Sequence, residues 1–317
     1  MEKEQAPEPT TQYTEKKIVS DFLWALNSPE ILCESPELNH PLVPTKTLHA
    51  MAKKARWVFK NHPEKKTQFW RLINEASVTK LGYYFEALIG TWLEMDQDFN
   101  LENKNLVISE DKITIGEIDF LLYQIALKTH FHWESAIKFY LYDPTCQQYI
   151  GPGGVDRLDL KVNKLFNHQL KLTEHKAFIN HLDDKKKDIE YTPQCLLKGK
   201  LFYRPENLES TLDNPMHLNP NHLKGLWLYH KEIESYFASA SGRWVILPSL
   251  YWLSEANVLW HELDPFETSS IIDRIKKYFK VEKKPLFLAY FENPHNNGWH
   301  LVQQTFIVHD DWPNLKD

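Results

Sequence analysis

Two carboxylates on consecutive predicted strands are the residues best placed to do chemistry in this chain. In the run 116–120 (GEIDF), side-chain alternation puts Glu117 and Asp119 on one face of a strand. In the next strand-like run, alternation puts Glu134 and Lys138 on one face. We expect Asp119 and Glu134 to converge if the two strands are neighbours and their register permits it.

Such a pair of carboxylates indicates a cation site. Adjacent carboxylates repel each other, and each resists ionising unless a cation lies between them. Mg²⁺ prefers carboxylates, a backbone carbonyl and waters as ligands, and Mn²⁺ accepts similar ones. A nearby lysine can orient the attacking water and stabilise negative charge on a phosphate. The pattern therefore favours a hydrolase, a metal-dependent phosphodiesterase.

Helices and strands in alternation must position these residues. The period of apolar side chains changes from helical spacing to strict alternation along the middle of the chain. The predicted helices cover residues 21–26, 63–76, 78–95 and 156–170. The predicted strands cover residues 105–109, 114–123, 130–142, 244–247, 286–291 and 301–302. We expect a mixed α/β fold, with loops at 33–46 and 183–188.

Three regions differ in composition. Residues 1–18 are polar and contain prolines, which predicts a flexible tail. Residues 19–195 carry the predicted core, and residues 196–317 form an aromatic-rich extension. We expect the extension to pack on the core, because its apolar runs need a partner surface. Its aromatic rings could instead stack on unpaired bases.

Composition excludes several classes of protein. The chain has 10 glycines and no glycine-rich phosphate loop, so a dinucleotide-binding fold is disfavoured. Its three cysteines lie far apart, which disfavours a zinc site or a disulfide framework. The formal net charge of −6 means that any contact with nucleic acid needs a local basic face. No leader or membrane-spanning run is evident, so we expect a cytoplasmic protein without a membrane partner.

The central motifs resemble the PD-(D/E)XK nuclease superfamily, and most closely its branch of Holliday-junction resolvases and RecB-type nucleases. The likeness covers residues 79–170 and includes a helical G-x-x-x-E pattern that ends at Glu86. It implies a restriction-endonuclease-like core with a central mixed sheet flanked by helices. It also implies that Asp119 is the central metal ligand, with Glu134, the Ser135 carbonyl and Glu86 completing the site.

The lysine of this superfamily pattern is displaced. Ala136 stands where the pattern E-x-K has its lysine, and Lys138 is two residues further along the same face. The Cα atom of Lys138 is then roughly 13 Å from that of Glu134, instead of about 7 Å. If Lys138 is catalytic, its ammonium must lean back past the small side chain of Ala136.

Four further runs resemble a bacterial family described as domain of unknown function 1853. They are F-E-A-L, G-E-I-D-F-L-L, H-W-E-x-A-x-K-F-Y-L and K-G-K-L-F-Y, and this likeness covers most of the chain. It implies family membership and supplies no activity.

A predicted basic helix face follows the glycine-rich loop. Arg157, Lys161, Lys164 and His168 recur at steps of four, three and four residues, so they line one side of a helix. They could track the phosphates of nucleic acid, including DNA, or simply form a solvated surface. Gln169 could reach the site, as in RecB-type relatives.

Two other interpretations remain open. The chain could be a catalytically degenerate nuclease-fold protein that binds nucleic acid or protein. It could also be a structural protein in which Glu134 and Lys138 form an ion pair and Glu117 faces solvent. Metal binding separates the enzyme from both, and salt-sensitive nucleic-acid binding separates the last two.

Overall fold

The computed structural model describes residues 13–33, 42–182, 188–208, 217–254, 263–293 and 298–315. The helices are α1 (Glu15–Asn27), α2 (Thr45–Asn61), α3 (Pro63–Glu75), α4 (Leu81–Met95), α5 (Leu158–Asn167), α6 (Lys176–His181), α7 (Ile233–Phe237) and α8 (Thr268–Tyr278). The strands are β1 (Phe99–Glu110), β2 (Ile113–Gln124), β3 (Thr129–Asp143), β4 (Gln148–Ile150), β5 (Tyr191–Tyr203), β6 (Leu223–Tyr229), β7 (Arg243–Ile246), β8 (Phe266–Glu267), β9 (Leu286–Glu292) and β10 (His300–Val308). A 3-10 helix, Gln169–Glu174, follows α5.

These strands form one mixed sheet, in the order β1-β2-β3-β5-β6-β10-β9-β7-β8, with β4 paired to β3. The first three strands are antiparallel neighbours. The central strands β3, β5, β6 and β10 run parallel. Beyond β10 the pairing is antiparallel again. The predicted mixed α/β fold is confirmed, as is the single sheet that contains the three strands of the motif region.

Helices cover both faces of the sheet because β3 alternates large apolar residues on each side. Trp133 and Phe139 join the core that also contains the apolar faces of α1 to α4. Tyr140, on the opposite side, packs in a second cluster with Leu158 and Leu165 of α5. A third cluster joins α7 and α8 to β7, β9 and β10. The site region therefore lies between α4 and α5.

The first helix begins nearer the N-terminus than the sequence predicts. Residues 1–12 lie outside the described residues, but α1 begins at Glu15, so the tail prediction is wrong for residues 15–18. Ile18 is fully buried and shares one face of α1 with Phe22. Lys17 is also fully buried, and a lysine in a polar run carries no signal of burial in the sequence.

A buried ion pair ties α1 to distant parts of the chain. The ammonium of Lys17 lies 2.6 Å from Oδ2 of Asp21 and donates to the Leu250 carbonyl at 2.8 Å. Asp21 also accepts from the Tyr84 hydroxyl at 2.8 Å and from the Ser254 backbone N–H at 3.0 Å. These contacts join α1, α4 and the segment after β7, so the C-terminal third packs on the rest of the chain.

The predicted boundary between residues 195 and 196 lies inside β5, and β6 to β10 extend the same sheet. The predicted loop at 33–46 is interrupted by α2, which begins at Thr45, while residues 34–41 lie outside the described residues. Most of the predicted loop at 183–188 also lies outside them. In the part of the chain that the structure describes, no helix is long and apolar enough to cross a bilayer.

Candidate functional site

A fork between β2 and β3 forms the candidate site. The two strands pair from Phe120–Trp133 to Gln124–Thr129, and at the other side of Phe120 they separate. There β2 stays paired with β1, while β3 stays paired with β5. Asp119 and Glu134 are the residues next to the last pair on each strand, so the fork brings the two predicted carboxylates together.

Hydrogen bonds from Ser135 hold the Asp119 carboxylate at the fork. Oδ2 of Asp119 accepts from the backbone N–H of Ser135 at 2.7 Å and from its hydroxyl at 3.1 Å. The backbone N–H of Asp119 acts on the carboxylate of Glu134 and lowers its pKa. The N–H and C=O of one strand residue point to the same edge of a sheet. The Ser135 carbonyl therefore faces the fork as well.

Glu134 is held from two further sides. Its side chain is 2% exposed. Oε1 lies 2.8 Å from Nε2 of His132, and Oε2 accepts from Nε2 of Gln169 at 3.0 Å. His132 is fully buried, and its Nδ1 has no hydrogen-bond partner among the described residues. Burial lowers the pKa of His132 to about 3, so its ring is neutral near pH 7 and places no positive charge beside Glu134.

Burial and repulsion from neighbouring carboxylates raise the pKa of both groups. Burial raises the pKa of Glu134 to about 8, although the Asp119 N–H and the charge of Lys161 act to lower it. Burial also raises the pKa of Asp119 well above its ordinary value, and the charge of Glu134 raises it further. A cation bound between the two groups would reverse this effect. This is the electrostatic situation that the sequence pattern predicts for a metal site.

Lys138 does not lean back toward Glu134. Its ammonium pairs with Asp156, whose same oxygen accepts from the Tyr140 hydroxyl at 3.2 Å. Ala136 lies in the apolar cluster beneath α5 and leaves no polar path along the strand. In this structure the ammonium of Lys138 therefore lies away from the carboxylates, and the ion pair that Lys138 forms has a different partner from Glu134.

Lys161 of α5 approaches the carboxylates instead. Its ammonium donates to Oε1 of Gln169 at 3.1 Å, and Gln169 in turn donates to Glu134. Burial and the charge of Lys138 lower the pKa of Lys161, whereas Glu134 and Asp119 act to raise it. The periodicity predicts an outward basic face for Lys161. No local pattern predicts its inward role, because α5 ends at Asn167 and Gln169 belongs to the following 3-10 helix.

The predicted basic face of α5 is consequently not a single surface. Arg157 precedes the helix and binds Asp159 through its Nε atom at 3.0 Å. Lys164 and His168 are exposed, and α5 ends before His168. Because Lys161 turns inward, two exposed side chains are what remains of the predicted stripe.

Glu86 of α4 lies at the edge of the site. Its Oε1 accepts from Nδ2 of Asn105 on β1. Burial raises the pKa of Glu86, and the exposed carboxylate of Glu117 raises it further by repulsion. Its charge also raises the pKa of Asp119 and Glu134, so the three carboxylates share one electrostatic environment.

These residues fit a hard divalent cation with few protein ligands. In the described ranges, no three or more His, Cys, Asp or Glu side chains form a group that could hold a metal ion. Mg²⁺, however, is commonly bound by one or two carboxylates and keeps several waters. Asp119 and Glu134, which repel each other, supply two such oxygen donors, and the Ser135 carbonyl faces the same space.

Comparisons with known proteins identify a family and nothing narrower. Neither the curated proteins nor the solved structures gave a match. One family model, described as Domain of unknown function (DUF1853), matches residues 20–308. The match spans α1 to β10 and includes every residue of the fork. The chain therefore belongs to the DUF1853 family.

Proposed function

We propose that the fork is the active site of a Mg²⁺- or Mn²⁺-dependent phosphodiesterase that acts on DNA or structured nucleic acid. The observation that carries the proposal is the pair Asp119 and Glu134, two carboxylates from neighbouring strands whose charges oppose each other. Bringing like charges together on folding costs free energy, and a cation bound between them offsets that cost. The order of the helices and strands around the fork supports the same proposal.

The order of elements supports a restriction-endonuclease-like core. Helix α4 precedes the antiparallel strands β1, β2 and β3, and α5 leads to β5, which runs parallel to β3. The resemblance to the PD-(D/E)XK superfamily implies this order. It also implies a helix glutamate, which Glu86 supplies from α4, and a glutamine after the last helix, which Gln169 supplies.

Asp119, Glu134 and the Ser135 carbonyl would hold the metal ion. When bound, such an ion acidifies a coordinated water and stabilises charge on the scissile phosphate. His132 and Gln169 orient the Glu134 carboxylate by binding one oxygen each. Lys161 provides the positive charge that the superfamily places two residues after the glutamate. Its ammonium can hold a water or a phosphate oxygen once the Gln169 contact is exchanged.

A binding module without turnover is the second candidate. One observation favours it: the strand lysine, Lys138, is engaged by Asp156 and Tyr140, away from the carboxylates. In that case Lys161 stabilises the fold by offsetting the charge of Glu134, and nucleic acid or protein binds without hydrolysis.

Metal binding and hydrolysis measured together test the proposal. Calorimetric titration with Mn²⁺ at pH 8 is expected to show binding to the wild type that Asp119→Asn and Glu134→Gln both abolish. Glu117→Gln is the matched control, because Glu117 is an exposed carboxylate on the same strand. Cleavage of branched and single-stranded DNA should follow the same pattern. Metal binding without cleavage supports the binding module, and absence of metal binding overturns the proposal.

A further inference from the structure

Helix α2 has an unusual charge composition. Its 17 residues include Lys46, Lys53, Lys54, Arg56 and Lys60, and they include no aspartate or glutamate. The chain as a whole has a formal net charge of −6, so this positive helix is set against an acidic background. Surface helices ordinarily mix both signs, because i,i+3 and i,i+4 ion pairs stabilise them.

Four of these cations share one exposed face. Lys54 is turned aside and pairs with Asp96 and Asp98 of the segment after α4. The other four are exposed, and their spacing of seven, three and four residues places them on one side of the helix. They are Lys46, Lys53, Arg56 and Lys60, and we call them the α2 basic face.

The α2 basic face carries four positive charges in close succession. Among the residues that the structure describes, no carboxylate lies within ion-pairing distance of any of its four cations. Arg56 has a like charge three residues before it and another four residues after it. Like charges at such spacing destabilise an isolated helix. Lys60 lies in the last turn, where a cation favours the helix, and the described residues give the other three cations no carboxylate partner.

An exposed tryptophan lies beside these cations. Trp57 is 59% exposed, although tryptophan is a residue that usually buries most of its surface. Its ring centroid lies 5.5 Å from that of His62, so the ring is supported from one side. A flat aromatic ring next to a row of cations is a common way to hold single-stranded nucleic acid.

We propose that the α2 basic face binds a single strand of nucleic acid, with phosphates along the four cations and an unpaired base stacked on Trp57. The apolar side of α2, which includes Met51 and Phe59, is buried in the protein core. Trp57 is the one large hydrophobic side chain of α2 that is exposed, which argues against an anionic membrane as the occupant. This surface stands on the residues of α2 alone and does not depend on hydrolysis at the fork.

Salt dependence gives the proposal a quantitative form. Each phosphate contact contributes about −0.7 to the slope of log K against log salt for a single strand. The triple variant Lys53→Gln, Arg56→Gln and Lys60→Gln is therefore expected to make the slope shallower by about 2 units. Trp57→Ala is expected to weaken binding roughly tenfold without changing the slope, because stacking does not release counterions.

The experiment measures binding of the full chain to a fluorescein-labelled single-stranded DNA, by anisotropy, in EDTA at several salt concentrations. The matched control is Lys277→Gln, Lys280→Gln and Lys284→Gln, which removes the same charge from exposed positions in and after α8. Circular dichroism confirms that each variant is folded. We expect at least a tenfold loss of affinity for the α2 triple variant and less than a twofold loss for the control.

Three outcomes overturn the proposal. The wild type does not bind, both triple variants lose affinity equally, or anionic vesicles bind the wild type as tightly as DNA does. Binding is measured in EDTA, whereas the fork is tested by Mn²⁺ binding and DNA cleavage, so a failure of the α2 basic face is distinguishable from a failure of the fork as an enzyme.

Discussion

Two clusters of buried charge, on α1 and at the fork, are organised in opposite ways. On α1, Lys17 faces Asp21 at 2.6 Å, and neutral groups from α4 and the segment after β7 complete the shell. At the fork, Asp119 and Glu134 face each other, and their hydrogen-bond donors are neutral. Opposite charges offset each other inside the protein. Like charges do not, and a fork built from them is suited to a cation from solution.

The α1 pair should show the largest loss of stability on mutation. Lys17→Met removes the ammonium and leaves Asp21 buried without a compensating charge. Loss of one partner from a buried pair costs about 3–5 kcal/mol. Urea unfolding measures this as a lower midpoint. Lys16→Met, at the exposed neighbouring position, is the control and should stay within about 0.5 kcal/mol of the wild type. If Lys17→Met loses no more stability than Lys16→Met, the ion pair is dispensable.

Removal of a charge from the fork should stabilise the metal-free protein at high pH, whereas removal of the Lys17 charge destabilises it. The pKa of Glu134 is raised by folding from 4.5 to about 8, so the folded state holds its proton more tightly than the unfolded chain. Its contribution to stability is fully present below pH 4.5 and is lost as pH rises to about 8. The metal-free wild type should therefore lose on the order of 3 kcal/mol relative to Glu134→Gln over this range.

Urea unfolding in EDTA at pH 5, 6.5 and 8 measures this difference. We expect Glu134→Gln to be more stable than the wild type at pH 8, and Mn²⁺ to restore the wild type alone. If the free energies of unfolding of the wild type and Glu134→Gln differ by the same amount at all three pH values, the pKa of Glu134 is not raised by folding. The fork and the α1 pair would then not be organised in opposite ways.

Lys161→Met tests which lysine serves the fork. Removing its charge should raise the pKa of Glu134 further, since that charge now lowers it. In the metal-free protein, the loss of stability with rising pH should continue to a higher pH than in the wild type. If the fork hydrolyses phosphodiesters, the rate should fall at least 10²-fold.

The control for this comparison is Lys164→Met, on an exposed position of the same helix. It should leave the pH profile and any hydrolysis unchanged. If the stability of Lys161→Met depends on pH as that of the wild type does, the charge of Lys161 does not act on the carboxylates, whatever the outcome of the activity measurement.

Lys138→Met should give the smallest effect. The side chains of Lys138 and Asp156 are 29% and 47% exposed, and such pairs contribute about 0–1 kcal/mol. We expect a loss of stability within that range, and no more than a twofold change in hydrolysis. A loss of activity as large as that of Lys161→Met would restore Lys138 as the catalytic lysine.

Local patterns in the sequence predict the framework of the site. Strict alternation in β3 correctly assigns Glu134 and Trp133 to opposite faces, because successive strand side chains must point to opposite sides. Helical spacing likewise predicts α4 and α3. The sequence alone does not show that a charged side chain is buried, so it predicts a tail that includes Lys17. The apolar positions of α2 went unrecognised among its many cations.

What the sequence by itself determined is which residues share a face of β3, where Glu134 follows His132 on one side. In β2 the predicted alternation fails, because Ile118 joins Leu121 in one cluster while Phe120 packs in the core with α4. Only the tertiary structure decided where the strands part, and this fork places Asp119 beside Ser135 and Glu134. It also decided that Lys161 approaches from α5 while Lys138 turns to Asp156. The physical reason is that alternation and periodicity are local properties, whereas register, strand divergence and helix docking depend on contacts between distant segments.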